Sequence, residues 1–185
     1  MSPAPDSAQR DAAHQLDLTR RMREVEASIL SRAPEHDLEP SLDRIRAVME
    51  LLGDPQRTFP VIHVTGTNGK TSTSRIIEAL LRELGLNTGR FTSPRLHAMT
   101  GRIAIVGRPI GAERFLAAYD EVIPFVEMVD ARSIIDGGPA MTYFEVIVAV
   151  AYAAFADLPV DVAVMEVGMG GAWDATNVID APVSV

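Results

Sequence analysis

No cysteine occurs anywhere in the 185 residues. Disulfides and thiolate metal sites are thereby excluded, and the composition fits a reducing compartment, with the cytoplasm as the expected address. Basic charge is scarce as well, since 17 Lys and Arg stand against 25 Asp and Glu for a formal net charge of −8. A chain with that balance has no broad positive field to neutralise a nucleic-acid backbone, so no nucleic-acid partner is expected and any phosphate binding must be local. Long apolar runs are missing too. The longest, Val146 to Ala156, is about half of the ~20 residues a membrane-spanning helix needs. Met1 to Arg10 lack the basic start and apolar centre of a secretory signal. No membrane partner is expected.

What is present is a chain that is 47% hydrophobic, enough to bury the core of one domain without staples. Residues up to about Gln15 carry Ala, Ser, Pro and Asp without apolar periodicity and are expected to form a flexible tail, leaving 16–185 as the folded domain. Leu18, Met22, Val25 and Ile29, and then Leu42, Ile45, Val48, Met49 and Leu52, recur at helical steps, the second set stopping at Gly53. Phe59 to Val64 reads as a strand, Ser72 to Leu84 as a helix with Ile76, Ile77, Leu80, Leu81 and Leu84 on one face, and Gly89 to Thr92 as a second strand. A loop at Ser93 to Thr100 and a strand at Arg102 to Val106 follow. Helices are expected at Ala112 to Ala131, kinked or broken at Pro124, and at Met141 to Ala156. Val160 to Val167 reads as a buried strand, and Ala181 to Val185 as the start of another. Strands separated by such helices predict an α/β domain with a mostly parallel sheet covered on both faces.

Between the first strand and its helix stands Thr65-Gly66-Thr67-Asn68-Gly69-Lys70-Thr71-Ser72, the context a phosphate-binding loop requires. Gly66 and Gly69 allow a tight turn that aims successive N–H groups at one point, and the helix adds its positive end. Lys70 supplies a mobile charge for the β and γ phosphates of ATP, and the Thr71 hydroxyl can reach Mg²⁺, with Ser72 as a competing hydroxyl. The bland alternative is a glycine-rich turn with a solvated lysine. The usual P-loop also wants a glycine where Val64 stands. That departure, with the absence of an Asn-Lys-x-Asp string, argues against GTPases and standard ATPases.

The string from Ile62 to Ser72 instead resembles the folate branch of the Mur ligase family, the folylpolyglutamate and dihydrofolate synthases. Phe91-Thr92-Ser93-Pro94 is similar to the family's Thr-Ser-Pro loop and Thr142-Tyr143-Phe144-Glu145 to its Thr-x-Phe-Glu segment. Glu166-Val167-Gly168-Met169-Gly170-Gly171, followed by Asp174-Ala175-Thr176-Asn177, resembles its second Gly-rich loop. Leu42 to Pro55 resembles its entry helix, so the likeness covers nearly everything after the tail.

The resemblance implies the family's P-loop ATPase fold, here without its end and without the C-terminal ligase domain, in a monomer. It implies transfer of the ATP γ-phosphate to a folate or dihydropteroate carboxylate, giving an acyl phosphate that the amine of L-glutamate attacks. Lys70 and Glu166 would be catalytic, and Thr71, Ser93 and Glu166 would hold Mg²⁺. Phe144 and Glu145 would border the pterin pocket, and Asn177 would touch the nucleotide or the Gly-rich loop. Each has a plainer reading as well: Glu166 as a surface acid at a strand end, Ser93 as the start of a Ser-Pro turn, Glu145 as a first-turn helix acid, and Asn177 as a turn residue. His63, mid-strand, reads as a satisfied core histidine, and Trp173 either packs on the loop or stacks on a ligand. The pattern departs from the family at Arg95, where histidine is usual, at Ala172, where a basic residue is usual, and at Gly101, where glutamate is common. A second reading is therefore a non-catalytic nucleotide-binding or interaction module derived from such a ligase.

Overall fold

The computed structural model describes residues 7–34, 41–93, 99–169 and 171–185. Pro94, Arg95 and Gly170, singled out above, lie outside the described residues, as do the first six positions of the expected tail.

The elements alternate as the periodicity predicts. Helices α1 (Ser7–Leu30) and α2 (Asp43–Leu51) precede β1 (Val61–Val64), α3 (Lys70–Glu83) and β2 (Thr88–Phe91). Short strands β3 (Ile103–Ile105) and β4 (Arg108–Pro109) lead to α4 (Ala112–Ile135), α5 (Tyr143–Asp157), β5 (Val162–Glu166) and β6 (Val183–Ser184). The six strands form one sheet in the order β4-β3-β2-β5-β1-β6. β1, β2, β5 and β6 run parallel, and only the β2–β3 and β3–β4 pairings are antiparallel.

Side chains of β2 alternate across the sheet, which fixes where the helices lie. Thr88 and Arg90 hydrogen-bond Glu78 of α3. Phe91, on the opposite face, packs edge-on against Phe144 of α5 with ring centroids 5.8 Å apart. Gly89 faces α5 as well, because a Cβ there would lie 2.8 Å from the Phe155 ring. Helices therefore cover both faces. Helix α5, buried from Phe144 to Phe155, is the centre of the core and is flanked by α2 and α4. Among the described residues, no helix is long and apolar enough to cross a membrane.

Four expectations change. The segment 7–15 is helical, as the beginning of α1, instead of a tail; its Ala, Gln and Arg residues are good helix formers that extend the amphipathic turns behind them. The N-terminal part of α1 stays exposed, and His14 Nε2 meets Glu113 Oε1 of α4 at 2.7 Å. Helix α4 runs through Pro124 without the break that was one of the two outcomes expected there. Pro124 and Asp120 are both exposed, so the carbonyl that loses its intrahelical donor faces water. In α3 the buried positions are Ser74 and Glu78, while Ile76, Leu80 and Leu84 are 60%, 61% and 77% exposed. Glu78 turns the helix this way by accepting from Arg90 Nε at 2.5 Å and from Gly107 N at 3.0 Å. The last strand, expected to be buried, lies at the sheet edge with Val183 and Val185 about half exposed.

Candidate functional site

The parallel strands β1, β2 and β5 end on the same edge of the sheet, and each runs into a loop named above. Register aligns Val64 with Glu166 and Phe91 with Met165, so the phosphate loop, the Thr92-Ser93 segment and the second Gly-rich loop all start at one level. Such an edge is where open α/β sheets hold ligands.

The phosphate loop leaves β1 at Thr65, whose N–H donates to the Val185 carbonyl at 2.7 Å. Gly66 (φ +136°) and Gly69 (φ +79°) take backbone conformations that side-chain-bearing residues rarely adopt, and Gly69 caps α3. Thr65, Gly66, Thr67, Asn68 and Gly69 are exposed, so the loop opens to solvent at the positive end of α3. Lys70 folds back over the loop and its Nζ donates to the Gly66 carbonyl at 2.8 Å. Thr71 points inward and is half-buried, whereas Ser72 is exposed.

Thr71, Ser93 and Glu166 come together. Glu166 is 1% exposed, and its Oε1 accepts from Thr71 Oγ1 at 3.0 Å and from Ser93 Oγ at 2.9 Å. Its other oxygen, Oε2, is buried without a hydrogen-bond partner. An orphaned carboxylate oxygen beside two hydroxyls and a phosphate loop is an all-oxygen donor set, which suits a hard cation such as Mg²⁺. Among the described residues, no three His, Cys, Asp or Glu side chains cluster to hold a metal. One carboxylate with two hydroxyls is the protein share that Mg²⁺ takes where phosphate oxygens and water complete its shell.

Phe144 and Glu145 lie apart from this cluster in their contacts. Phe144 is 2% exposed and packs on Phe91, Tyr143 and the backbone of Gly168, where a Cβ would sit 2.5 Å from its ring. Glu145 closes a capping box: Thr142 N donates to its Oε2 at 2.7 Å, its own N–H donates to Thr142 Oγ1 at 3.1 Å, and Arg44 Nε lies 3.2 Å from its Oε1. The Thr-x-x-Glu spacing already carries that cap. Asn177 Nδ2 donates to the Ala172 carbonyl at 3.0 Å, which is the loop contact of the two expected alternatives. Trp173 is 59% exposed in the short turn Gly171–Trp173. Ala172 is exposed and Gly101 half-buried.

His63 is satisfied, as a core histidine should be, by Thr176 Oγ1 at 2.8 Å. Burial lowers its pKa below the ordinary 6.5. Behind it stands an acid that the motifs do not single out: Asp174, buried and with a raised pKa from that burial, accepts from Thr176 Oγ1 at 2.5 Å, Thr176 N at 3.0 Å and Met169 N at 2.7 Å. A polar pair in Asp-Ala-Thr-Asn, just past a buried strand, was the available signal.

No protein-family model matches the chain. It is 54% identical over 165 residues to the dihydrofolate synthase/folylpolyglutamate synthase of Mycobacterium tuberculosis, covering 88% of this chain and 34% of that protein. A solved structure of Mycobacterium tuberculosis folylpolyglutamate synthase complexed with ADP superposes with a TM-score of 0.85 at 51% identity, over 90% of this chain and 36% of that one. The chain is homologous to the folylpolyglutamate/dihydrofolate synthases over about a third of their length. Another solved member of the group, in complex with AMPPCP and folate, matches with a TM-score of 0.78 at 38% identity, over 88% of this chain and 39% of that one. The chain thus spans about a third of the length of the relatives it matches. The α/β fold with a mostly parallel sheet is the fold of those structures.

Proposed function

We propose that the chain supplies the Mg-ATP-binding part of an ATP-dependent carboxylate–amine ligase that joins L-glutamate to a folate or dihydropteroate carboxylate. The observation that carries this reading is the convergence of Thr71 and Ser93 on one oxygen of buried Glu166, with the other oxygen unpaired, beside a Gly-rich loop that Lys70 covers. Support also comes from the relatives, whose solved structures hold ADP in one case and AMPPCP with folate in another.

In this reading the N–H groups from Gly66 to Thr71 bind the phosphates, and Lys70 leaves the Gly66 carbonyl for the β and γ oxygens. Thr65 to Ser72 form the nucleotide cradle, with Asn177 steadying the loop beside it. Thr71, Ser93 and Glu166 would hold Mg²⁺, which when bound offsets negative charge on the phosphates. Lys70 and the loop dipoles stabilise charge on the transferring phosphoryl group, so no side-chain nucleophile is needed. The carboxylate becomes an acyl phosphate and ADP leaves; the glutamate amine then forms the amide as phosphate departs. Phe144 and Glu145 serve the substrate side indirectly, by supporting Gly168 and the start of α5.

Calorimetric titration tests the nucleotide part. Saturable binding of ATP that tightens with Mg²⁺ is expected, and absence of ATP binding with or without Mg²⁺ overturns the reading. ATP binding without any effect of folate or glutamate in the whole-length protein would favour the non-catalytic module.

A further inference from the structure

Thr176 is fully buried and takes no part in the donor set for phosphate or cation, yet it sits at the middle of a hydrogen-bonded chain between the two strands that carry that set. Asp174 Oδ1 accepts the Thr176 hydroxyl at 2.5 Å, and Asp174 Oδ2 accepts Met169 N–H at 2.7 Å. A carboxylate only accepts, so the single Thr176 hydroxyl proton goes to Asp174 and the hydroxyl oxygen accepts from His63 Nε2 at 2.8 Å. Tyr152 donates to the Thr176 carbonyl at 2.7 Å and anchors the same residue to α5.

The ends of this chain matter. His63 lies two residues before Thr65, where the phosphate loop begins, and Met169 lies three residues after Glu166. His63 pairs with Met165 and Val64 with Glu166 across the sheet, so the side chains close a second link between β5, which ends in Glu166, and β1, whose following loop leads to Thr71 at the start of α3. We propose that Thr176 is a positioning residue of the phosphate site: its hydroxyl latches the loop after Glu166 to β1 and so holds the carboxylate at the distance from Thr71 that Mg²⁺ requires. The proposal rests on the Mg-ATP reading above. Removing a direct hydrogen-bond partner of a metal ligand typically changes metal affinity by about 10- to 100-fold; Thr176 acts one step further out, through the loop, so the lower end is expected.

The test uses the 185-residue chain and its single tryptophan, Trp173, which lies between Met169 and Asp174 and reports on the loop. Affinity for ATP is measured with and without Mg²⁺, and acrylamide quenching of Trp173 is recorded alongside. Thr176→Val should reduce the Mg²⁺ preference by about tenfold, leave metal-free ATP binding unchanged, and raise quenching; Thr176→Ser should restore all three. An unchanged Mg²⁺ preference, or equal losses with and without Mg²⁺, in a folded Thr176→Val overturns the latch. Should circular dichroism show Thr176→Val unfolded, His63→Gln, which keeps a donor, is compared with His63→Phe, which does not: a preference retained only by His63→Gln supports the latch and equal preferences overturn it. A wild-type chain that binds ATP with no Mg²⁺ preference instead overturns the cation-site reading itself.

Discussion

Ser93 donates a hydrogen bond to Glu166 across 73 positions of sequence, at 2.9 Å, from the loop after β2 to the end of β5. The contact spans adjacent parallel strands and leaves Glu166 Oε2 as the one carboxylate oxygen of this trio without a partner. A carboxylate next to phosphates is repulsive unless a cation lies between them. Glu166→Gln is therefore expected to weaken Mg-ATP binding more than metal-free ATP binding. Calorimetry in Mg²⁺ and in a chelator checks this, and equal losses in the two conditions would assign Glu166 a purely structural role.

Lys70 is tethered to a loop carbonyl, a contact that phosphate oxygens can replace. Lys70→Ala should weaken Mg-ATP binding by about 1.5 to 3 kcal/mol, roughly tenfold to a hundredfold, while thermal stability stays near that of the wild type. Unaltered affinity would remove Lys70 from the site.

Gly168 is required for space. Its backbone lies so close to Phe144 that a Cβ would be 2.5 Å from the ring. Gly168→Ala is expected to cost about 1 to 3 kcal/mol through overpacking. Adding Phe144→Leu should recover part of that loss, because the clash and the cavity offset each other. Denaturant melts of the two single variants and the double variant give the coupling; strict additivity would show that the loop moves aside without cost.

Burial lowers the His63 pKa from its ordinary 6.5, so between the two values the unfolded chain binds the extra proton. This contribution to stability is complete above the unfolded value and is lost as pH falls from there through the folded value. Its slope cannot exceed about 1.4 kcal/mol per pH unit for one proton. Asp174 moves in the opposite sense, because burial raises its carboxyl above 3.8 and its penalty grows as pH rises through the folded value. Melting temperatures of wild type and His63→Gln, followed from about pH 8 to about pH 5, should converge toward the acid end. Parallel curves would mean that His63 does not titrate differently on folding.

Holding an acyl phosphate and an amine together and away from water supplies roughly 7 to 11 kcal/mol of such a barrier. The 185 residues match about a third of the relatives' length, and their phosphate loop is exposed to solvent. We expect them to bind Mg-ATP but to form no glutamylated product from folate or dihydropteroate, ATP and labelled glutamate. Product formed at a sustained rate by these residues alone would relocate the ligation machinery into them.

The elements legible from the amino-acid order are those set by short-range rules. The β-branched run Val61–Val64, two turn-permitting glycines and a helix opening at Lys70 are neighbours in the chain, so backbone preference alone writes the phosphate loop. The continuous apolar run that ends in Glu166 likewise announces a buried parallel strand with an acid at its ligand-facing end. Local signals fail where a distant partner decides. An apolar stripe on α3 asked to be buried, and Glu78 overrode it through Arg90 and Gly107, because a buried carboxylate must be paired while an exposed leucine is tolerated. The resemblance of Thr142 to Glu145 to a family segment could not reveal that Phe144 meets Gly168 closely, since that contact joins residues far apart in the chain. Thr71 and Glu166 lie 95 positions apart and meet because β1 and β5 pair in register. Sequence determined which side chains could bind phosphate and Mg²⁺; the sheet register alone decided that they converge, since a shift of one residue would send Glu166 to the opposite face.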